Sequence, residues 1–144
     1  MDTLLDKGVM HGGTYNGNVQ SMAAALAALD VLEAGDGAVY RDLEARGTRL
    51  MQGLEAIARK HAVPARIQGL PTIFQVFFTD GPAPSNYRDA LACDRDKALA
   101  FHTALQDEGI RTNQQAKWFL STAHDDAIVD QTLAAADRAM AAVA

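Results

Sequence analysis

The sequence predicts an α+β fold, with two long helices followed by a small domain in which helices cover a mostly antiparallel sheet of three or four strands. Apolar residues recur at spacings of three and four through the first 60 residues, which is the period of amphipathic helices. From Pro64 onward the chain instead holds short β-branched and aromatic runs separated by turn residues. These strand-like runs alternate with helical patterns, which favours α+β architecture.

The first helix is expected to begin at Asn16 or Asn18, since both residues are good N-caps, and to stop at Gly35 and Gly37. Its alanine-rich sequence is typical of an internal helix. A second helix opened by Asp36 carries one apolar stripe, formed by Val39, Leu43, Leu50, Leu54, Ile57 and His61. Because no sheet precedes residue 64, we expect both helices to leave apolar surface uncovered.

Two strands are predicted at residues 65–69 and 72–79, with Phe74, Val76 and Phe78 on one face of the second strand. The opposite face is also mostly apolar, so this strand is expected to be central and covered on both sides. A helix follows between Asp94, as its cap, and Gly109, as its terminator. "GIRTN" and "KWFLS" are short strand candidates. A final helix is predicted, in which the residues that face the core are Val129, Leu133, Ala136 and Met140.

Composition narrows the functional classes. A net charge of −5 and a pI near 5.2 give no overall basic field, so we expect no nucleic-acid partner. Cys93 is the only cysteine, which excludes an internal disulfide and fits a reducing compartment. There is no apolar run of the roughly 18 residues needed to span a membrane and no signal-peptide pattern at the start. We therefore expect a cytoplasmic protein that does not bind membranes.

The stretch "HGGTYNGN" at residues 11–18 is the strongest candidate for a site. Gly12 and Gly13 let the backbone approach a ligand closely, Thr14 offers a hydroxyl and an N–H, and a helix begins directly afterwards. This arrangement suits a phosphate. The alternative is a plain turn followed by an Asn cap. The stretch lacks the P-loop ending and the G-x-G-x-x-G pattern, so neither of those nucleotide sites is indicated.

A longer segment, "VMHGGTYNGNVQSMAAALAALDVLEA", resembles class III pyridoxal-phosphate aminotransferases and is most similar to their glutamate-1-semialdehyde aminomutase branch. "GLPTIFQVFFT" and "WFLSTAHDDAIVDQTLAAADRAM" are similar to the first strands and the closing strand and helix of that branch's small domain, so the resemblance covers essentially the whole chain. Val19 stands where the family usually has Pro.

The resemblance implies the C-terminal part of a fold type I transferase. Residues 1–62 would then be the tail of the large cofactor-binding domain with its connecting helix, and residues 63–144 the small α+β domain. In the family, the Thr of this motif binds the cofactor phosphate of the other subunit in a dimer. Carried over, the cofactor-binding residues are Thr14 and its neighbour Gly13, and the implied cofactor is pyridoxal 5'-phosphate. The implied substrate is a small amino acid or keto acid, with aminotransferase and aminomutase activity both open.

The lysine that binds this cofactor covalently lies upstream of the Gly-Thr motif in the family. Lys7, Lys60, Lys97 and Lys117 lack its surroundings and are expected to be solvated surface residues. We therefore expect no catalytic residue in these 144 residues, no covalent attachment of the cofactor to this chain alone, and no activity without an N-terminal portion. Its partner would be that portion or a second copy. The alternative is a catalytically silent module that dimerises or binds another protein.

Other clusters are weaker. "STAHDD" places Ser121, His124 and Asp125 close together, but a catalytic triad depends on separated segments, so Ser121, Thr122 or Asp125 is expected to be a helix cap. The histidines at positions 11, 61, 102 and 124 show no metal-ligand spacing, and no metal site is predicted. His11 is a possible neighbour of the phosphate site.

Overall fold

A computed structural model describes residues 6, 12–114 and 117–144 of the chain. In that part of the chain four helices and three strands follow one another in the order α1, β1, β2, α2, α3, β3, α4. The helices are α1 (Val19–Lys60), α2 (Tyr87–Leu91), α3 (Arg95–Asp107) and α4 (Asp126–Ala141), and the strands are β1 (Ala65–Leu70), β2 (Ile73–Phe78) and β3 (Lys117–Phe119). The α+β prediction is confirmed.

The chain divides into two compact units, Met1–Val39 and Tyr40–Ala144. Helix α1 is interrupted near this division, because Ala34 has extended ψ and residues 35–37 all have positive φ. The predicted stop at Gly35 and Gly37 is thereby confirmed. Asp36 shares the left-handed conformation, with φ 56° and ψ 45°, so it lies within the break and lacks the extended backbone of an N-cap. The proposed boundary between residues 62 and 63 stays a prediction.

In the first unit, helix α1 begins where Asn18 caps it. The Asn18 Oδ1 atom accepts hydrogen bonds from the Ser21 N–H at 2.9 Å and from the Ser21 hydroxyl at 3.0 Å, which confirms Asn18 among the two predicted caps. The apolar residues that follow are exposed, including Val19, Met22, Leu26, Leu29 and Val31. Within this chain the segment is therefore a surface helix, although its composition suggested an internal one.

In the second unit, the later part of α1 packs into the core. Leu50, Leu54 and Ala58 are buried in a cluster with residues of the sheet and of the last two helices, including Phe74, Val76, Phe78, Phe101, Leu105 and Met140. The expectation that both early helices leave an uncovered stripe is therefore wrong for this segment. The error arose because the sheet that covers it comes later in the sequence.

The sheet is antiparallel, with β2 between β1 and β3 as predicted. Its inner face is closed by aromatic contacts: the Phe74 ring stacks on Trp118 with centroids 5.8 Å apart, and Phe78 meets Phe101 edge-on at 5.5 Å. On the outer face Ile73 is 53% exposed, and its cross-strand neighbour Phe119 is exposed as well. Gln75 and Phe77 on that face are half-buried, so the expected cover is complete on the inner face and only partial on the outer face.

Capping residues and a glycine define the ends of α3 and the start of α4. Asp94 caps α3 by accepting from the Lys97 N–H, and Asp125 caps α4 by accepting from the Ile128 N–H. Gly109, whose φ is +82°, follows the last turn of α3 and terminates the helix as predicted. The segment "GIRTN" is not a strand, because the Ile110 N–H turns back to the Leu105 carbonyl at 2.8 Å and completes the end of that helix. The sheet therefore has three strands in the described residues.

Candidate functional site

The predicted phosphate motif forms a tight turn in front of α1. The Asn16 N–H donates to the Gly13 carbonyl at 3.1 Å, and the Asn18 N–H donates to the Tyr15 carbonyl at the same distance. This pair of bonds reverses the chain directly before the Asn18 cap, so that the helix starts at Val19. His11 and Lys7 lie outside the described residues.

The Asn16 side chain lies close beside Gly13 in this turn. A Cβ atom placed on Gly13 would lie 2.6 Å from Asn16 Oδ1, closer than real Cβ atoms approach a neighbour. A Cβ atom placed on Gly12 would have no heavy atom within 4 Å. A side chain at position 13 would have to displace the flexible end of the Asn16 side chain, whereas position 12 has room for one.

Thr14 lies at the exposed tip of the turn. Among residues 12–114 and 117–144, neither its hydroxyl nor its N–H is used in a hydrogen bond. The first turn of α1 carries no acidic residue, so no carboxylate there neutralises the partial positive charge of the helix start. The turn thus presents a hydroxyl and backbone donors that suit an anion such as a phosphate group.

The "STAHDD" cluster is a local capping arrangement. The His124 Nδ1 atom lies 2.9 Å from the Ser121 amide nitrogen and 3.1 Å from its hydroxyl oxygen. The Asp125 carboxylate caps α4 at the Ile128 N–H instead of approaching the His124 ring. The expectation of a cap, and not a catalytic triad, is confirmed, with Asp125 as the cap.

The described lysines differ in their contacts. Lys60 Nζ binds both carboxylate oxygens of Asp137, at 2.6 and 2.8 Å, and His61 Nε2 shares that carboxylate at 2.8 Å. Two hydrogen bonds, the larger effect from Lys60 and the smaller from His61, lower the pKa of Asp137 below its ordinary value. Lys97 and Lys117 are half-buried. Lys60 is exposed as expected, and its ammonium group is held by an ion pair.

No cluster of three or more His, Cys, Asp or Glu residues with metal-binding geometry occurs in the described part of the chain. Within those same residues no helix is both long and apolar enough to cross a membrane. Cys93 is half-buried, and its thiol lies 3.5 Å from the Asp89 carbonyl.

Two concave regions were not anticipated from the sequence. An open cleft of about 540 Å³ lies against the outer side of β2, where Gln75, Cys93, Arg95 and Lys117 contribute polar groups. A smaller cavity of about 70 Å³ lies beside Trp118 and the start of α4. Both combine residues from segments distant in sequence, so no local spacing could have indicated either.

Comparisons with known proteins place these features in context. The family model for class-III aminotransferases matches residues 1–139. A glutamate-1-semialdehyde 2,1-aminomutase from Methanothrix thermoacetophila is 38% identical over 130 residues, covering 89% of this chain and 29% of that protein. An omega-transaminase from Sphaerobacter thermophilus is similar in structure with a TM-score of 0.77 at 25% identity, covering 94% of this chain and 30% of that one.

The PLP internal aldimine form of the FumI protein from Sphingopyxis sp. MTA144 is similar to the same degree, with a TM-score of 0.77 at 28% identity. The match covers 95% of this chain and 30% of that one. The 144 residues therefore span about three tenths of the length of the proteins they resemble.

Proposed function

We propose that this chain, which belongs to the class-III aminotransferase family, acts as the C-terminal part of a pyridoxal-phosphate-dependent aminotransferase or aminomutase of the glutamate-1-semialdehyde aminomutase type. Its relatives support the branch, and family membership implies the cofactor. When bound, pyridoxal phosphate supplies the electron-accepting ring on which amino groups are moved. The substrate is then a small amino acid or keto acid.

In this proposal, Gly13 and Thr14 bind the phosphate of the cofactor held by the other subunit of a dimer. The observation that most directly supports this role is that Thr14 is exposed and that its hydroxyl and N–H have no partner among the described residues. The residues fit a phosphate: Gly13 has no side chain to block a ligand beside Thr14, and the helix start behind them favours negative charge. The role of this chain is to bind and orient the cofactor's phosphate end.

The second unit contributes one wall of the substrate site. Its inner sheet face is filled by its own core, so the outer face of β2 and β3 is the surface available for that role. The polar groups of the cleft, Gln75, Arg95 and Lys117, give this surface hydrogen-bonding capacity. The covalent attachment of the cofactor belongs to a lysine outside these 144 residues.

Substitution of Thr14 in a full-length enzyme built with this chain as its C-terminal part tests the proposal. Thr14→Val removes the hydroxyl that donates to a charged oxygen, an interaction worth about 1.5–3 kcal/mol, so cofactor affinity should fall by roughly 10- to 150-fold. Thr14→Ser keeps the hydroxyl and should cost much less. Thr103→Val is the matched control, because Thr103 is exposed on α3 and its hydroxyl donates to the Leu99 carbonyl of that same helix.

The readout is titration of each apoenzyme with pyridoxal phosphate. If the Thr14→Val and wild-type curves coincide, Thr14 does not bind the phosphate and the turn only begins a helix. The fold should survive each change, since the turn is closed by backbone hydrogen bonds and by the Asn18 cap, neither of which uses the Thr14 side chain.

A silent dimerisation or partner-binding module is the second candidate, and the exposed apolar side chains of Met22, Leu26 and Leu29 favour it. In that case Leu26→Glu would prevent self-association of the 144-residue chain in sedimentation experiments. Cofactor affinity of the full-length enzyme would then be insensitive to residue 14, which separates the two functions.

A further inference from the structure

Strand β1 is the open edge of the sheet in the second unit. The strand order is β1–β2–β3, so β1 and β3 each have one side without a neighbouring strand in the described residues. Strand β3 has three residues, and its Lys117 N–H donates to Asn113 Oδ1 at 2.9 Å. Strand β1 has six residues. The longer edge is therefore the better template for a further strand.

The backbone groups that β1 presents at this edge follow from its pairing with β2. The Thr79 N–H donates to the Pro64 carbonyl at 3.1 Å, so Pro64 faces β2. Because backbone groups alternate sides along a strand, the residues that face away from β2 are Ala65, Ile67 and Gly69. The Ala65 carbonyl accepts from the Arg66 side chain at 3.1 Å. The Ile67 N–H and carbonyl have no hydrogen-bond partner within residues 12–114 and 117–144.

There is room for a strand beside these groups. An open groove of about 570 Å³ is lined by residues 65–68 of β1 and by the last turns of α1. Much of its wall consists of small side chains, which are Ala58, Ala62, Ala65 and Ala83. Small side chains let another backbone approach closely, so the groove fits an extended strand that hydrogen-bonds to the edge of β1.

We propose that β1 pairs with β1 of a second copy of this chain, antiparallel and about a two-fold axis at Ile67. In this register the two Ile67 residues exchange backbone hydrogen bonds, and Ala65 pairs with Gly69 of the second copy. Ile67 is half-buried in the single chain, and the second Ile67 covers its remaining apolar surface. The contact uses neither the Gly13–Thr14 turn nor the cofactor, so it is independent of the proposed function.

Charge favours this register over its neighbours. With the axis at Ile67, the exposed Arg66 side chain lies opposite the exposed Gln68 amide of the second copy, which can accept a hydrogen bond from it. An axis at Arg66 would place two guanidinium groups opposite each other, which is destabilising. An axis at Gln68 would leave Ala65 beyond the end of the paired strand. The register at Ile67 therefore pairs most of β1 without opposing like charges.

The dimer should be weak. A contact along one strand buries less than the roughly 800 Å² per partner of a stable dimer, so we expect dissociation in the micromolar to millimolar range. Sedimentation equilibrium of the 144-residue chain measures it. Every variant carries Leu26→Glu as well, so that the exposed apolar helix of the first unit does not contribute to association.

Substitutions of Gln68 test the register. Gln68→Glu places a carboxylate opposite Arg66 of the second copy and should tighten the dimer by about two- to thirtyfold, because the pair occurs twice by symmetry. Gln68→Lys places two like charges opposite each other and should weaken it by a similar factor. Residue 68 is exposed on β1, so both variants should fold.

These expected signs are opposite to the effect of net charge. The chain carries a charge of −5, so non-specific association would be weakened by an added Glu and strengthened by an added Lys. Gln106→Glu and Gln106→Lys are the matched controls, since Gln106 is exposed on α3 and lies outside the groove. They should show only this net-charge effect.

Hydrogen exchange gives a second measurement. Exchange of the Ile67 amide should slow as the protein concentration rises, because its N–H becomes hydrogen-bonded in the dimer. A chain that stays monomeric through the millimolar range would overturn the proposal. So would Gln68 variants that follow the net charge, or Ile67 exchange that does not depend on concentration.

Discussion

Replacing Gly47 with alanine tests whether helix propensity or packing has the larger effect on stability at this position. In an exposed helix the change would stabilise the protein by about 1 kcal/mol, because alanine is the better helix former. Gly47 is buried, however, and an added Cβ would lie 2.5 Å from the Pro71 carbonyl carbon and closer still to its oxygen. That carbonyl belongs to the backbone of the β1–β2 turn, which cannot move away as a side chain can.

The clash should outweigh the propensity gain. Overpacking a well-filled site costs about 1–3 kcal/mol, and displacement of backbone places Gly47→Ala at the upper end of that range. After subtraction of about 1 kcal/mol of propensity, a net destabilisation of about 1–2 kcal/mol is expected. Gly53→Ala is the matched control on the same helix, because its Cβ would meet the flexible end of Leu133, with Cδ1 at 2.9 Å. We expect it to cost clearly less.

Urea unfolding followed by circular dichroism measures both variants against the wild type. A lower midpoint for Gly47→Ala than for Gly53→Ala, with similar slopes, is the expected result. If Gly47→Ala raises the midpoint, α1 does not approach the β1–β2 turn as closely as described, and the packing of the second unit must be revised.

Three further predictions concern the second unit. Helices α1 and α3 end in the same motif, with Ala62 at φ 55° and Gly109 at φ 82° in the left-handed position. Ala62→Gly should therefore stabilise the fold by about 0.5–1 kcal/mol, and Gly109→Ala should destabilise it by about 1 kcal/mol. Urea unfolding measures both changes, and effects of the same sign would contradict the shared motif. The folded-state pKa of Asp137 lies below its ordinary value of 3.8, so its pairing with Lys60 and His61 stabilises the fold above that pH and is lost as pH falls through the lowered pKa. The stability difference between wild type and Asp137→Asn should thus be present at about pH 6 and should shrink in acid below the ordinary value, and a pH-independent difference would argue against the pairing. Limited chymotrypsin digestion should cut at exposed Leu26 or Leu29 before buried Leu54 or Phe74, and early cuts at the buried positions would contradict the burial of the later part of α1.

Local signals in the sequence predicted much of the fold. The caps Asn18, Asp94 and Asp125 act through side chains within three residues of the N–H groups they bind, so their residue types and positions sufficed. The alternation in β2 likewise predicted the buried face of Phe74, Val76 and Phe78. These features depend on short-range geometry that a single sequence contains.

Features that depend on tertiary contacts were not predictable in the same way. Helix propensity alone makes Gly47 and Gly53 unfavourable positions in a helix, whereas the structure shows them at close approaches to Pro71 and Leu133. The cavity beside Trp118 joins segments up to some eighty residues apart, and no spacing rule indicates it. For the phosphate motif, the turn and the exposure of Thr14 follow from the local sequence, and its assignment to a phosphate comes from resemblance to the family.

The central claim is that the turn of Gly13 and Thr14 serves the cofactor of the other subunit, and hybrid dimers of the full-length enzyme test it most directly. One subunit carries Thr14→Val with the cofactor-binding lysine intact, and its partner carries normal Thr14 with that lysine replaced by alanine. The single working site then combines the lysine of the first subunit with residue 14 of the second. Titration with pyridoxal phosphate should give wild-type affinity and about half the wild-type activity, since one of two sites remains. Affinity reduced to that of the Thr14→Val homodimer would show that residue 14 acts within its own subunit and would contradict the account.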